Sequence, residues 1–171
     1  MSSYICEMAD PVDQILEQWA RERPDLDASP MGIIGRIARL GRAHDRAVGA
    51  TLATHDLRPD EFDVLATLRR SGSPFRLTPT QLGATTMVTS GTMTHRLDKL
   101  EQRGLISREP DPNDRRGLLI TLTKRGRALV DRAVVDHLDT EHALLAALSP
   151  RERQQLATLL RRLSDAASPD A

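Results

Sequence analysis

The chain has 171 residues, of which 39% are hydrophobic and 28% are charged, so it is long enough to form one domain with a buried core. Aromatic residues make up only 2%, and a core built from aliphatic side chains favours helices. The sequence has no apolar run long enough to cross a bilayer and no signal-peptide pattern, and its one cysteine, Cys6, cannot form an internal disulfide bond. These properties argue against a membrane protein and predict a cytoplasmic one.

The formal net charge is +0, but the charges are unevenly distributed. Residues 89–127 contain nine Lys or Arg and five Asp or Glu, which gives this segment +4 and the rest of the chain −4. A local basic face on a neutral protein is typical of a selective polyanion binder, although solvated helices can show the same imbalance.

Two helices are predicted before residue 57. Asp10-Pro11 opens a short one, whose shared face is Val12, Ile15, Leu16 and Trp19. Ser29-Pro30 begins a longer one, with serine as N-cap and proline at the first helical position. Its stripe recurs at spacings of three and four: Ile34, Ile37, Gly41, His44, Val48, Leu52 and His55. So long a stripe is typical of a helix that packs on several partners.

Three short helices follow between residues 57 and 104. Pro59 starts the first and Thr78-Pro79 the second, and the third runs from an N-cap at Thr89 to Arg103, where Gly104 ends it. The buried face of the first is predicted to be Phe62, Leu65 and Leu68. The last two, joined by a tight turn, outline a helix-turn-helix.

One residue of the third helix conflicts with its pattern. Met93, Leu97 and Leu100 recur at helical spacing and should face the core, yet Arg96 falls on the same face. A buried arginine requires a structural or functional reason.

After Gly104 the pattern becomes that of a β-hairpin. A short extended segment is predicted at residues 105–107, and a run of strand-forming residues follows at 118–122. Between them, residues 111–114 are of the types that form turns. The predicted tip is Arg115-Arg116-Gly117. A hairpin directly after a recognition helix is the wing of a winged helix.

Two more helices complete the chain. Thr123 caps one with the stripe Leu129, Val130, Ala133, Val134, His137 and Leu138. Ser149-Pro150-Arg151-Glu152 is a capping box that starts the last, whose stripe is Leu156, Leu159, Leu160 and Leu163. This stripe and the one from Ile34 to His55 exceed what one small winged domain can cover, which predicts dimerisation through the terminal helices.

The third short helix has a second face suited to DNA. It offers small donors and acceptors for base edges, and Lys99 and Arg103 can take phosphates. Arg115 at a turn tip fits a narrow minor groove. The predicted DNA contacts are Thr89, Ser90, Thr92, Thr94, His95, Lys99, Arg115 and Arg116.

Several of these elements resemble the MarR family of bacterial winged-helix transcription regulators. They are Thr92, Leu100-Glu101, Gly104-Leu105-Ile106, Asp114-Arg115-Arg116, and Thr123 with Gly126. The resemblance implies a homodimer whose terminal helices interlock, a recognition helix in the major groove of a palindromic operator and a wing arginine in the minor groove. It implies a regulator, a repressor or an activator with repression favoured, that is not an enzyme and needs no cofactor.

The fold expected is mainly α with a small β-hairpin wing, a winged helix-turn-helix with N- and C-terminal dimerisation helices. Residues 1–9 are assigned to a flexible N-terminus and 10–56 to N-terminal helices for ligand and dimer. Residues 57–123 are assigned to the DNA-binding domain and 124–168 to the C-terminal dimerisation helices.

A departure from the family pattern addresses the conflict at Arg96. Most members would have arginine at position 95 and an aliphatic residue at 96, whereas this chain has His95-Arg96. The shift resembles the urate-responsive branch of the family, in which four ligand-site residues recur, here Trp19, Asp63, Arg96 and Arg108. Urate is a flat monoanion that a tryptophan can stack on and a guanidinium can bind through two hydrogen bonds.

Other interpretations stay open at this stage. Trp19 can be a packing residue, Arg96 with Asp63 a structural ion pair, and Arg108 a phosphate contact. The effector can be another phenolic or aromatic anion, or Cys6 can act as a redox sensor. A metal site at His137, Glu141 and His142 is disfavoured, because residues five apart project poorly onto one helix face.

Overall fold

The structure, a computed structural model, describes residues 10–85, 93–112 and 114–167. For residues 85, 115 and 116 it describes the backbone alone. These residues form seven helices and three strands. In chain order they are α1 (Pro11–Glu22), α2 (Ser29–Ala53), α3 (Pro59–Arg70), β1 (Arg76–Leu77), α4 (Pro79–Thr85), α5 (Met93–Gln102), β2 (Ile106–Asp111), β3 (Asp114–Leu122), α6 (Lys124–Leu144) and α7 (Pro150–Ala167). The expected mainly helical fold with a hairpin wing is confirmed.

The chain divides into two compact units, Met1–Arg46 and Ala47–Ala171. In the first unit, Asp10 caps α1 by accepting the Val12 N–H at 3.0 Å. Arg36 of α2 binds both Asp10 and Asp13 at 2.7 Å. The Val12 N–H, helped by Arg36, holds the pKa of Asp10 below its ordinary value.

The start of α2 differs in detail from the prediction. Ser29 is the first residue of α2 and not the residue before it, and its N–H donates to the Asp27 carboxylate at 2.9 Å. The aspartate performs the capping role two residues earlier than expected. Hydrogen bonds from Ser29 keep the pKa of Asp27 low.

The core of the second unit is aliphatic. The end of α2, with helices α3 to α6 and the sheet, contributes side chains that are completely inaccessible: Leu52, Val64, Leu65, Leu68, Leu82, Leu100, Ile120 and Ala133. The predicted buried face of α3 is confirmed. On α6, Val130 and Ala133 are buried as expected, but Leu138 is exposed.

The sheet has three antiparallel strands in the order β1-β3-β2. Strand β1 was not predicted, because two residues are too short for a periodic pattern. Asp111 pairs with Asp114 at the end of the hairpin, so Arg115-Arg116-Gly117 lies within β3 and does not form the tip. Pro112 follows Asp111 in a turn, so the chain reverses before the two arginines.

The junction between α5 and α6 is tightly built. Gly104 ends the helical segment with a φ of 66°, and Thr123 donates its hydroxyl to the Gly104 carbonyl at 2.8 Å. The Thr123 hydroxyl also accepts the Gly126 N–H at 3.0 Å, which caps α6 as predicted. Gly126 packs directly on the Leu105 backbone, where a Cβ would overlap the carbonyl oxygen.

The terminal stripes remain uncovered in the single chain. No residue of α7 is buried, and its Leu159, Leu160 and Leu163 are exposed. Ile34 and Ile37 of α2 are exposed as well. The capping box at Ser149 and Glu152 that starts α7 is confirmed.

Within the described ranges, no helix combines the length and apolarity that crossing a membrane requires.

Candidate DNA-recognition and effector site

Helix α5 presents two chemically different faces. Met93, Arg96, Leu97 and Leu100 are buried, as the spacing predicted. Thr94 and His95 are exposed on the opposite side, and Lys99 is half-buried. The outer face is therefore free of core packing, as contact with base edges requires. Thr89, Ser90 and Thr92 lie outside the described residues, and their DNA contacts stay predictions.

Arg96 is a buried cation on the recognition helix, with a side chain only 4% exposed. Its Nε donates to Oδ2 of Asp60, in the first turn of α3, at 3.2 Å. The same carboxylate oxygen accepts a hydrogen bond from the Arg58 guanidinium at 3.0 Å. An ion pair thus links α5 to α3 through the residue that broke the apolar pattern.

Asp63, the predicted partner of the inward arginines, lies on α3 one turn beyond Asp60 and is half-buried. Its role toward Arg96 or a ligand stays a prediction. Asp60 could not be singled out from the sequence, because an acidic residue after Pro59 is ordinary first-turn chemistry for a helix. Its proximity to Arg96 depends on how α3 and α5 cross.

Arg108, on β2, also contacts α5. Its guanidinium lies 2.7 Å from the Asp98 carboxylate and 3.2 Å from that of Glu101. Its backbone N–H also donates to Glu101 at 3.1 Å. Both predicted ligand arginines are therefore bound to carboxylates, one on α3 and one on α5.

Trp19, the fourth predicted ligand residue, lies on α1 and is 38% exposed. It belongs to the first compact unit, whereas Asp63, Arg96 and Arg108 belong to the second. Its stacking on a ligand beside the arginines stays a prediction.

Arg103 has a different environment from the one its position suggested. Its guanidinium donates to the Asp56 carbonyl at 2.6 Å and to the Asp56 carboxylate at 3.0 Å. It also donates to the Glu61 carboxylate at 3.2 Å. These contacts favour a structural role over the phosphate contact suggested by the sequence.

The wing arginines are placed by backbone only. Arg115 and Arg116 belong to the first residues of β3, directly after the hairpin tip.

If Arg115 enters the minor groove, Arg115→Ala should weaken operator binding about tenfold, or roughly 1.4 kcal/mol, and leave the melting temperature unchanged. Fluorescence anisotropy with a labelled operator at fixed salt measures this. Arg132→Ala, which removes one charge from an exposed position of α6, is the matched control. Equal affinity of the two variants would contradict the wing contact.

The structure bears on one rival interpretation. Across the described ranges, no group of three or more His, Cys, Asp or Glu side chains could hold a metal ion. His137 instead lies 3.3 Å from Glu141 and packs its ring 4.9 Å from that of Phe62. These contacts give His137 a packing role. Cys6 lies outside the described residues.

Comparison with known proteins identifies relatives of this architecture. Residues 55–117 match the sequence profile of the MarR family. The transcriptional regulator PecS of Dickeya dadantii is 42% identical over 152 residues, which cover 89% of this chain and 92% of PecS.

Solved structures resemble the chain as well. A cysteine-to-serine mutant of MarR from Escherichia coli in complex with operator DNA has a TM-score of 0.69 at 27% identity, covering 91% of this chain and 99% of that one. Bordetella bronchiseptica BpsR, whose DNA binding is regulated by 6-hydroxynicotinic acid, has a TM-score of 0.69 at 30% identity, covering 77% and 91%.

Proposed function

The chain belongs to the MarR family of DNA-binding transcriptional regulators, and we propose that it is a homodimeric repressor released from its operator by urate or a related purine anion. The observation that carries the proposal is the burial of Arg96 on the recognition helix, in contact with the Asp60 carboxylate. Any change in the pairing of Arg96 acts directly on the element that reads DNA.

An organic anion is suited to change that pairing. A buried guanidinium needs a negative partner, and a planar anion can replace a carboxylate by forming two parallel hydrogen bonds. The anion attracts Arg96 and repels Asp60 and Asp63. Competition between ligand and α3 for the same arginine therefore shifts α5 relative to α3.

Urate fits the remaining residues of the proposed site. It is flat and carries one negative charge near neutral pH, so the face of Trp19 can stack on it while Arg108 supplies a second guanidinium. The salt bridges from Arg108 to Asp98 and Glu101 tie this residue to α5 as well. A ligand that binds Arg96 and Arg108 would therefore act on one residue of α5 and on one that is salt-bridged to it.

The proposed dimer explains the uncovered terminal stripes. The apolar side of α7 and the isoleucines of α2 are exposed in the single chain, and burying them against a second copy removes that surface from water. A two-fold dimer would place its two winged domains on half-sites one helical turn apart, on the order of 34 Å.

A relative supports the class of effector. BpsR, at 30% identity, responds to 6-hydroxynicotinic acid, which is also a planar nitrogen heterocycle that carries an anionic group. A urate-like effector belongs to the same chemical class.

Titration with urate tests the proposal. Trp19 is the only tryptophan, so its fluorescence should be quenched as urate binds, and operator affinity should fall about 5- to 150-fold, which corresponds to a coupling of about 1–3 kcal/mol. Arg96→Met replaces the guanidinium by an apolar side chain of similar length, so the operator binding that remains should no longer respond to urate. Trp19→Phe should weaken the response. Sedimentation of the ligand-free protein should show a dimer.

The alternatives give different results in the same assay. Release by 6-hydroxynicotinic acid but not by urate would assign the site to another aromatic anion. Release by peroxide that Cys6→Ser abolishes would indicate a redox sensor. If urate at millimolar concentration neither quenches Trp19 nor releases DNA, the urate assignment is wrong.

A further inference from the structure

We propose that Arg103 is a positioning residue for operator recognition, which fixes the C-terminal end of α5 against α3 and does not bind a phosphate. The inference uses only the DNA binding of the family and is independent of the effector. Arg103 lies directly after the last residue of α5, on the same side of the helix as Arg96 and Leu100.

The guanidinium of Arg103 is engaged by the segment that connects α2 to α3. Asp56 follows the end of α2 in a left-handed conformation, with a φ of 53°, and offers both its carbonyl and its carboxylate, at 2.6 and 3.0 Å. One terminal nitrogen, Nη2, donates to both Asp56 acceptors, and the other, Nη1, donates to the Glu61 carboxylate. A lysine has a single nitrogen and cannot bind the two residues through separate nitrogens as the arginine fork does.

Glu61 provides the more buried anchor. Its side chain is 7% exposed and accepts the backbone N–H of Arg58, the residue before α3, at 3.0 Å. The same carboxylate oxygen accepts from Arg103 at 3.2 Å. A charge-assisted hydrogen bond in so shielded a position is stronger than one at the surface. The cap of α3 and the end of α5 are therefore held by one carboxylate.

Arg96 and Arg103 form two attachments on the recognition helix. They are seven residues apart, or about two helical turns, and they contact the adjacent residues Asp60 and Glu61. Two attachments fix the orientation of α5 on α3, whereas one would leave it able to pivot. Orientation matters for base readout, which depends on hydrogen-bond distances, but little for nonspecific binding, which depends on charge.

Three measurements on Arg103→Lys and Arg103→Ala test this role: operator affinity, affinity for unrelated duplex DNA, and the dependence of both on salt. We expect operator affinity to fall about tenfold in both variants, as for the loss of one base contact, with nonspecific affinity nearly unchanged in Arg103→Lys. The slope of log affinity against log salt should stay that of the wild type. Lys99→Ala, on the outer face of α5, is the control that should reduce this slope by about one.

Glu61→Gln gives an independent check of opposite sign. It removes a negative charge, which by charge alone would strengthen DNA binding, yet the proposal expects weaker operator binding. Wild-type operator affinity in Arg103→Lys, or a slope reduced by about one in Arg103→Ala, would make Arg103 a phosphate contact. An equal loss of operator and nonspecific affinity, together with a lower melting temperature, would make its role purely structural. Either result overturns the proposal.

Discussion

Gly126→Ala should destabilise the protein by about 3–4 kcal/mol, one of the largest effects expected of any single substitution here. The added Cβ would overlap the Leu105 carbonyl oxygen and crowd the side chain of Leu122. That carbonyl also accepts the Thr123 N–H at 3.1 Å, so it cannot move away without breaking the junction. Chemical denaturation of the purified variant, followed by circular dichroism, measures the loss.

Gly49→Ala is the matched control for this prediction. Gly49 lies within α2, and a Cβ there meets nothing within 4 Å. Alanine is the better helix former, so this variant should be as stable as the wild type or up to about 1 kcal/mol more stable. If Gly126→Ala proves no less stable than Gly49→Ala, α6 can shift at its first turn without cost, and the tight junction is not needed.

Asp60→Ala should destabilise the protein by about 2–3 kcal/mol, because it removes a carboxylate partner from a buried guanidinium. Arg96 is 4% exposed and Asp60 19%, so water reaches the carboxylate only in part and the guanidinium hardly at all. The loss should be accompanied by weaker operator binding, since Arg96 belongs to the recognition helix. Denaturation and operator titration on the same sample give both quantities.

Arg96→Met removes the buried charge itself, so it measures how much the intact ion pair contributes to the free energy of unfolding. Replacing a buried charge by an apolar side chain of similar length is often neutral or stabilising, so this variant should lie within about 1 kcal/mol of the wild type. Its neighbours Met93, Leu97 and Leu100 already form an apolar face. A larger loss in Arg96→Met than in Asp60→Ala would show that the ion pair itself stabilises the fold. The low cost expected here favours a functional reason for keeping the arginine.

The helices and their limits could be predicted from local chemistry. Proline at the first position of α3 and α4, the cap at Thr123 and the capping box at Ser149 each act within a few residues, and the structure has all of them. The hairpin was predictable for the same reason, since a turn-forming segment separates two extended runs. Its tip was misplaced by a few residues, because several positions there have turn chemistry and cross-strand pairing selects among them.

The sequence by itself determined that Arg96 occupies an apolar helix face, since that follows from the spacing within one helix. Only the tertiary structure decided that the Asp60 carboxylate meets it, because the crossing of α3 and α5 brings these two distant positions together. The partners of Arg103 were also decided by the tertiary structure. Its charge and position on the helix suggested a phosphate contact, but its guanidinium binds Asp56 and Glu61, more than forty residues earlier in the chain. Periodicity depends on neighbours along the chain and can be read from it, whereas an ion pair between distant segments depends on packing that brings them together.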